Sequence, residues 1–311
     1  MIPPEQHPNL LTTLLPEALR RLHPTLRAVR SDAALHVGLS ADIQTVLTRA
    51  CDRAGAAKWK ASSPRLPATV DDLLARMVPV GPGTALLELR FRGLDPDFPF
   101  VEVVATDFTV TPALLPALLT AASQTWPTIP LRWLGLWVAS HAGWQPPGAG
   151  DMHLVVGALA SLDCDPGPLT TTPADADSLP RVVSAYADFH TARPDLSPHV
   201  NALDAETLDD LIATGTAWDA WLDGAWAGLL AVEASPLLGG PGFVVIEEVL
   251  APALRGQGLG AVLQRAGLAN LPPTPGGLVW GTIHEDNLPS RKTAARVGRT
   301  EVDLRWLVPI S

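Results

Sequence analysis

Apolar positions in the second half of the chain alternate between strand-like and helix-like spacing. Residues 169–172 form a short β-favouring run, after which Pro173, Asp175 and Asp177 prepare a helix with Pro180 in its first turn. That helix carries Leu179, Val182, Val183, Tyr186 and Phe189 at helical spacing. A second helix, over 204–214, places Leu208, Leu211 and Ile212 on one face and stops at Gly215. Residues 217–222 and 225–233 flank Asp223-Gly224, a pair that favours the tight turn of a β-hairpin. The Val- and Ile-rich stretch 243–250 reads as a central strand. Leu259, Val262, Leu263 and Ala266 then mark a helix that is over by Pro272 and Pro273. A strand over 278–283, a short helix over 289–297 closed by Gly298, and a last strand over 302–308 complete the order.

The first half repeats this order more faintly. Ser40 is expected to cap a helix carrying Ile43, Val46, Leu47, Ala50, Cys51 and Ala54, and Val70, Leu73, Leu74 and Met77 have the spacing of a second helix. Leu87, Leu89 and Phe91 alternate with Glu88, Arg90 and Arg92 as in a half-buried strand, and 100–105 follows as another. A helix with Leu114, Leu115, Leu118 and Leu119 leads to a strand over 131–138. The shared order predicts an internal structural repeat joined near 162–167, with one unit over 1–162 and the other over 163–311.

The chemistry concentrates between the strand ending at Leu250 and the helix opening near Leu259. Arg255-Gly256-Gln257-Gly258-Leu259-Gly260 lies there. The first N–H groups of a helix have no intrahelical partner and sit at the positive end of its dipole, so they attract a phosphate, and glycines let it approach. A P-loop is excluded because no Gly-Lys-Ser/Thr follows. Gly256, Gly258 and Ala261 also fit G-x-G-x-x-A, with Glu285 ending the next strand, which leaves a dinucleotide-dependent oxidoreductase as an alternative. Against it, residues 251–255 separate the first glycine from the strand, and a hairpin precedes the loop. Glu247 and Glu248 sit side by side just upstream, so alternation points them to opposite faces, and either one can be the cleft-facing base.

The run from Val249 and Leu250 through Arg255, Gly256, Gln257, Gly258, Leu259, Gly260 and Ala261 resembles the acetyl-CoA signature of the GNAT acyltransferase superfamily. Asn287, Ser290 and Gly298 stand at the spacing of a second landmark of that family. The resemblance implies an α/β fold with a mixed, mostly antiparallel sheet flanked by helices, in tandem acyl-CoA N-acyltransferase-like domains. It implies acetyl-CoA as cosubstrate, its pyrophosphate on the glycine loop, Asn287 and Ser290 helping to hold it, and its pantetheine arm between the strand at Val249 and Leu250 and a splayed neighbour over 278–283. It further implies transfer of an acyl group to an amine by direct attack in a ternary complex, with Glu247 or Glu248 as base. Many members carry a tyrosine as acid seven residues after the asparagine, where this chain has Ala294. Ser290, a water or direct release of the thiolate is left for that role. A non-catalytic acyl-CoA-binding or structural protein is the rival reading.

Other features narrow the picture. A formal net charge of -10 argues against a nucleic-acid partner, which would need clustered basic residues. Cys51 and Cys164 lack a second Cys or His at metal-ligand spacing, so two buried free thiols and no metal site are expected. Residues 1–5 carry no basic leader and the apolar runs are too short for a bilayer, which predicts a cytoplasmic protein without a membrane partner. His284 is a second candidate base, Asp188, His190 and Asp195 suit the rim of a cationic acceptor's pocket, and Trp218, Trp221, Trp226 and Trp280 are expected in the core, with Trp218 or Trp226 able to line that pocket. Residues 105–112 hold no glycine, so the first unit is expected to bind no CoA. The resemblance implies a small-molecule or peptide amine as acceptor, and the chain is expected to be a monomer with a built-in second copy or a homodimer.

Overall fold

The computed structural model describes residues 9–92, 95–197 and 200–310; the expectation about 1–5 lies outside them. Two compact units emerge, Met1–Asp151 with Asp303–Ser311, and Met152–Val302. Each is a mixed sheet flanked by helices.

In the first unit, α1 (Leu10–Arg21), α2 (Pro24–Val29), α3 (Asp32–Ala50) and α4 (Arg53–Ser62) precede β1 (Arg76–Val80), β2 (Gly83–Phe91) and β3 (Pro99–Thr106). Then come α5 (Leu115–Thr125) and β4 (Trp133–Ala139). Strands β1, β2 and β3 are antiparallel, whereas β4 lies parallel to β3 because α5 crosses over between them. Leu87, Leu89, Val101, Leu118, Trp126, Leu134 and Leu136 are buried together in this core.

Several expectations fail here for identifiable reasons. Ser31, not Ser40, caps α3 through the Ala34 N–H; Ser40 is interior, its hydroxyl donating to the His36 carbonyl at 2.7 Å. Val70, Leu73, Leu74 and Met77 do not share a helix, since a turn held by Thr69 and Asp72 leads straight into β1. Glu88 on β2 is buried rather than solvent-facing, and Arg90 and Arg49 compensate its charge. Cys51 and Cys164 form no disulfide, and both are half-buried rather than buried.

In the second unit the predicted order holds: β6 (Thr170–Pro173), α6 (Ser178–Ala192), α7 (Ala205–Ala213), β7 (Ala217–Leu222), β8 (Ala225–Ala234), β9 (Gly242–Leu250), α8 (Leu259–Leu268), β10 (Leu278–His284) and α9 (Leu288–Val297). The hairpin turn between β7 and β8 has Asp223 at φ 50° and Gly224 at φ 79°, the double left-handed conformation of a type I′ turn. Helix α8 covers one face of β8 and β9 through Leu263 and Ala266, and α6 and α7 cover the other through Val182, Leu208 and Leu211.

Both units therefore contain an antiparallel pair followed by a helical crossover to a parallel strand, β2-β3-α5-β4 and β8-β9-α8-β10. The strands that follow are not distributed as the order along the chain suggests. The Met152–Ala158 part of β5 (Ala149–Ala158) runs antiparallel to β10 in the second unit, while the Asp303–Pro309 part of β11 (Thr300–Pro309) runs antiparallel to β4 in the first. The C-terminal strand thus completes the unit that begins the chain, which a boundary at 162/163 does not anticipate. Among the described residues no helix is long and apolar enough to cross a membrane.

Leu307 and Val308 are buried in the first unit, and each contributes roughly 1.5–3 kcal/mol by burial. A chain ending at Val302 should lose amide protection in β4, seen as faster hydrogen exchange, while β8 and α8 keep theirs. Loss of protection in β8 and α8 first would contradict this assignment.

Candidate functional site

Strands β9 and β10 pair over only three positions, the last being Trp280 with Val244. Just beyond, β9 carries a bulge: Val245 faces Val232 and Glu247 faces Ala231, so Ile246 is the extra residue. A bulge bends its strand, and the pairing of β9 with β10 stops where this one begins. A cavity of about 580 Å³ opens onto the last residues of β9, closed by the second half of α6, the start of α8 and the first turns of α9.

The loop into α8 has the conformation that only its residue types permit cheaply. Gly256 and Gly258 have φ of 76° and 79°, and Gly258 is the N-cap, so no side chain caps the first N–H groups of α8. Gly260 is helical, but a Cβ there would stand 2.7 Å from Thr293 Oγ1 and 3.4 Å from Glu248 Oε1. The start of α9 faces the same cavity; Asn287 caps it by accepting from the Ser290 N–H at 3.3 Å, with Pro289 in the first turn. Two positive helix ends therefore meet at one place. Lys292 and Arg296, one turn apart on α9, and Arg193 also line the cavity.

Arg255 lines the cavity too, but its guanidinium is already engaged. It donates to the carbonyls of Leu250 at 3.2 Å and Ala185 at 2.7 Å and lies over the Phe189 ring, fastening the loop to α6. Val249, Leu250, Gly256, Gly258, Leu259, Gly260 and Ser290 lie on the wall as well. Two of the expected cofactor residues do not. Gln257 turns outward and its amide donates to the Ala253 carbonyl at 2.8 Å, and Ala261 is buried in the core beneath α8.

The adjacent carboxylates diverge. Glu247 is buried toward α6 and α7 and accepts from the Tyr186 hydroxyl at 2.6 Å, the Leu203 N–H at 3.2 Å and the Glu248 N–H at 2.9 Å. Burial raises its pKa against those three bonds, and burial together with Glu247 pushes the Tyr186 hydroxyl well above the ordinary phenol range. Glu248 is the one on the cavity wall. Its Oε2 accepts from the Gln264 amide at 2.6 Å, and the Gln264 carbonyl accepts from buried Arg299 at 3.4 Å. Burial raises Glu248 to about 7, with Gln264 and Arg299 opposing, and burial lowers Arg299 to about 10. A carboxylate half-ionised near neutrality is suited to taking up a proton.

The other candidates have structural partners. His284 is buried with Nδ1 accepting from the Asp286 N–H, His190 binds the Val200 carbonyl, and Asp195 pairs with Arg193. Asp188 is exposed near Arg255. Trp218 is in the core, Trp226 donates to Asp219, Trp221 stacks on Arg181 and Trp280 donates to the Ser235 carbonyl; none of the four lines the cavity. Ala294, where the resemblance looks for a tyrosine, is on the buried side of α9. Among the described residues no group of three or more His, Cys, Asp or Glu is placed to hold a metal ion.

Sequence reasoning did not single out Tyr186, Gln264, Arg299, Lys292 or Arg296 for this site. The first three act through partners distant in sequence. Lys292 and Arg296 did leave a signal: an i,i+4 basic pair just after Asn287, in a chain with only three lysines.

Neither the protein-family models nor the curated proteins compared with the chain gave a match. Among solved structures, a GNAT-family acetyltransferase from Colwellia psychrerythraea is similar at 13% identity and TM-score 0.45, over 73% of this chain and 81% of that one. A GCN5-related N-acetyltransferase from Kribbella flavida is similar at 16% identity and TM-score 0.41, over 83% and 95%. A tandem GNAT protein from the clavulanic acid biosynthesis pathway is similar at 16% identity and TM-score 0.41, over 74% and 79%. At such identities and TM-scores nothing about this chain's chemistry follows from them. This chain is similar in structure to solved GNAT acetyltransferases, a tandem one among them.

Proposed function

We propose that the second unit transfers an acyl group, acetyl in the simplest case, from a CoA thioester to the amine of a small molecule or peptide. The observation that carries this reading is the uncapped start of α8 in its glycine loop, opening onto the gap left where β9 parts from β10. A diphosphate on the first amides of α8 would meet Arg296 and Lys292 from α9, and the unpaired edge of β9 offers backbone groups to an amide-bearing arm.

Glu248 serves as base. Its position on the wall and its raised pKa let it accept the proton that an ammonium must lose before nitrogen attacks the thioester carbon. The C–N bond forms as the C–S bond breaks, and the thiol, with a pKa near 8.5 in its free form, leaves as thiolate without a dedicated acid. Tyr186 does not supply that proton, because its hydroxyl is held by Glu247 and its pKa is raised. Glu247 and Tyr186 instead position the bulged end of β9 against α6.

Among the described residues the first unit has no comparable loop. Asp107 occupies that region and accepts from the Thr84 N–H at 2.7 Å, so we read this unit as a copy that does not bind CoA.

CoA release from acetyl-CoA with a panel of amines tests the reading. Turnover that Gly258→Val abolishes is expected; tight CoA binding without turnover on any amine would favour the non-catalytic alternative. Lys292→Ala with Arg296→Ala should raise the KM for acetyl-CoA roughly tenfold or more with kcat little changed. Glu248→Gln should lower kcat about a hundredfold and remove the rising limb of the pH–rate profile, whose midpoint lies at about 7. The same variant should be more stable than the parent above that midpoint. A carboxyl whose pKa is raised by folding stabilises the native state below its unfolded pKa, and loses that contribution as pH climbs through the folded value. The gain in Tm should be several degrees at pH 8 and near zero at pH 4, read by thermal unfolding.

A further inference from the structure

The cavity of the second unit has two unlike walls. Toward α8 and α9 it is polar, with the uncapped start of α8, Ser290, Lys292 and Arg296. Toward α6 and the segment before α7 it is apolar, formed by Phe189, Ala192 and Val200 beside Tyr186, whose hydroxyl is already held by Glu247. Leu288, 53% exposed on the first turn of α9, adds to the apolar surface at the rim.

The acids that the sequence offered for an acceptor's rim are not on this wall. Asp188 and Asp195 do not line the cavity, and Asp195 accepts from Arg193 with both carboxylate oxygens. Among the described residues Glu248 is the only acid on the wall, against the cations Arg193, Arg255, Lys292 and Arg296. Lys292 and Arg296 are assigned to a diphosphate, Arg255 is fastened to two carbonyls and Arg193 is paired with Asp195. One carboxylate and an apolar wall are left for the acceptor. A second ammonium would enter a field of one positive sign with no acid to meet it. A polar body would give up its water against Phe189 and Val200 without regaining hydrogen bonds, whereas an apolar body gains by burial there.

We infer that the acceptor is a monoamine on an apolar body, its nitrogen toward Glu248 and its body against Phe189, Ala192 and Val200. Polyamines and other multiply charged amines are rejected by the same walls. The inference rests on the proposed function for the two occupants of the cavity and adds which amine is chosen, with Ala192 and Val200 as residues that determine the choice.

CoA release from acetyl-CoA by the full chain, measured with 2-phenylethylamine, ethanolamine and spermidine, tests it. The expected kcat/KM for 2-phenylethylamine exceeds that for spermidine by about a hundredfold or more and that for ethanolamine by about tenfold or more. Val200→Asp, and Ala192→Asp at an exposed position where the fold tolerates it, should each narrow the preference over spermidine about tenfold, through the KM of the amine. Spermidine or ethanolamine used as well as 2-phenylethylamine would overturn the inference, as would a preference that both variants leave unchanged. If no amine releases CoA, the acyl-transfer reading fails, and calorimetric titration of the same chain with 2-phenylethylamine and spermidine decides the selectivity separately. Tighter binding of 2-phenylethylamine, by about tenfold or more, would uphold it; equal binding, or none, would overturn it.

Discussion

Two parallel strands that share a sheet must separate if anything is to lie between them, and in the second unit a single extra residue accompanies that separation. Within the span where the two strands pair, Ile246 gives β9 one residue more than β8, and pairing with β10 ends at Val244, before the strand reaches its chemical end. Everything assigned to the site depends on this break. It leaves the edge of β9 unpaired beside the first turn of α8, which Gly258 leaves uncapped, and the start of α9 lines the same cavity. Glycine at 260 matters to the same geometry, because a Cβ there would stand 2.7 Å from Thr293 Oγ1, which would have to shift.

The same strand separates two carboxylates by function. Alternation turns Glu247 into a shell of three donors, where it ties β9 to Tyr186 and to the segment before α7. Glu248 is turned toward Gln264 and the cavity with less compensation, so its charge is poised near neutrality. The price is a native state that becomes less stable as this group ionises. That cost is expected where a site needs a base and a purely structural core does not.

Much of the second unit was legible in the sequence because its signals are local: a hairpin turn at Asp223-Gly224, glycines at the mouth of α8 and a glycine stop at 298. The first unit was harder to read. Val70, Leu73, Leu74 and Met77 fit a helical period by coincidence, since Met77 belongs to a strand that takes its partner from β2. Helix α1 has Pro16 inside it and no side-chain cap, so the usual markers were missing. The last strand's place beside β4 rests on pairing between residues far apart in the chain, which no local pattern encodes. In the site, alternation foretold that Glu247 and Glu248 would diverge but not which would face the cavity. That choice is made by Tyr186 and Gln264, at 61 and 16 residues' distance. The anchoring of Arg255 to the Ala185 carbonyl depends on α6, which a loop motif does not contain.

The central claim is that the bare amides of α8, with Lys292 and Arg296 beside them, hold a diphosphate. Calorimetry comparing coenzyme A with pantetheine, which has the same thiol arm and no phosphates, addresses it most directly. The account predicts micromolar-range binding of coenzyme A and binding of pantetheine weaker by roughly a hundredfold or more. Equal affinity for the two, or none for coenzyme A, would contradict it.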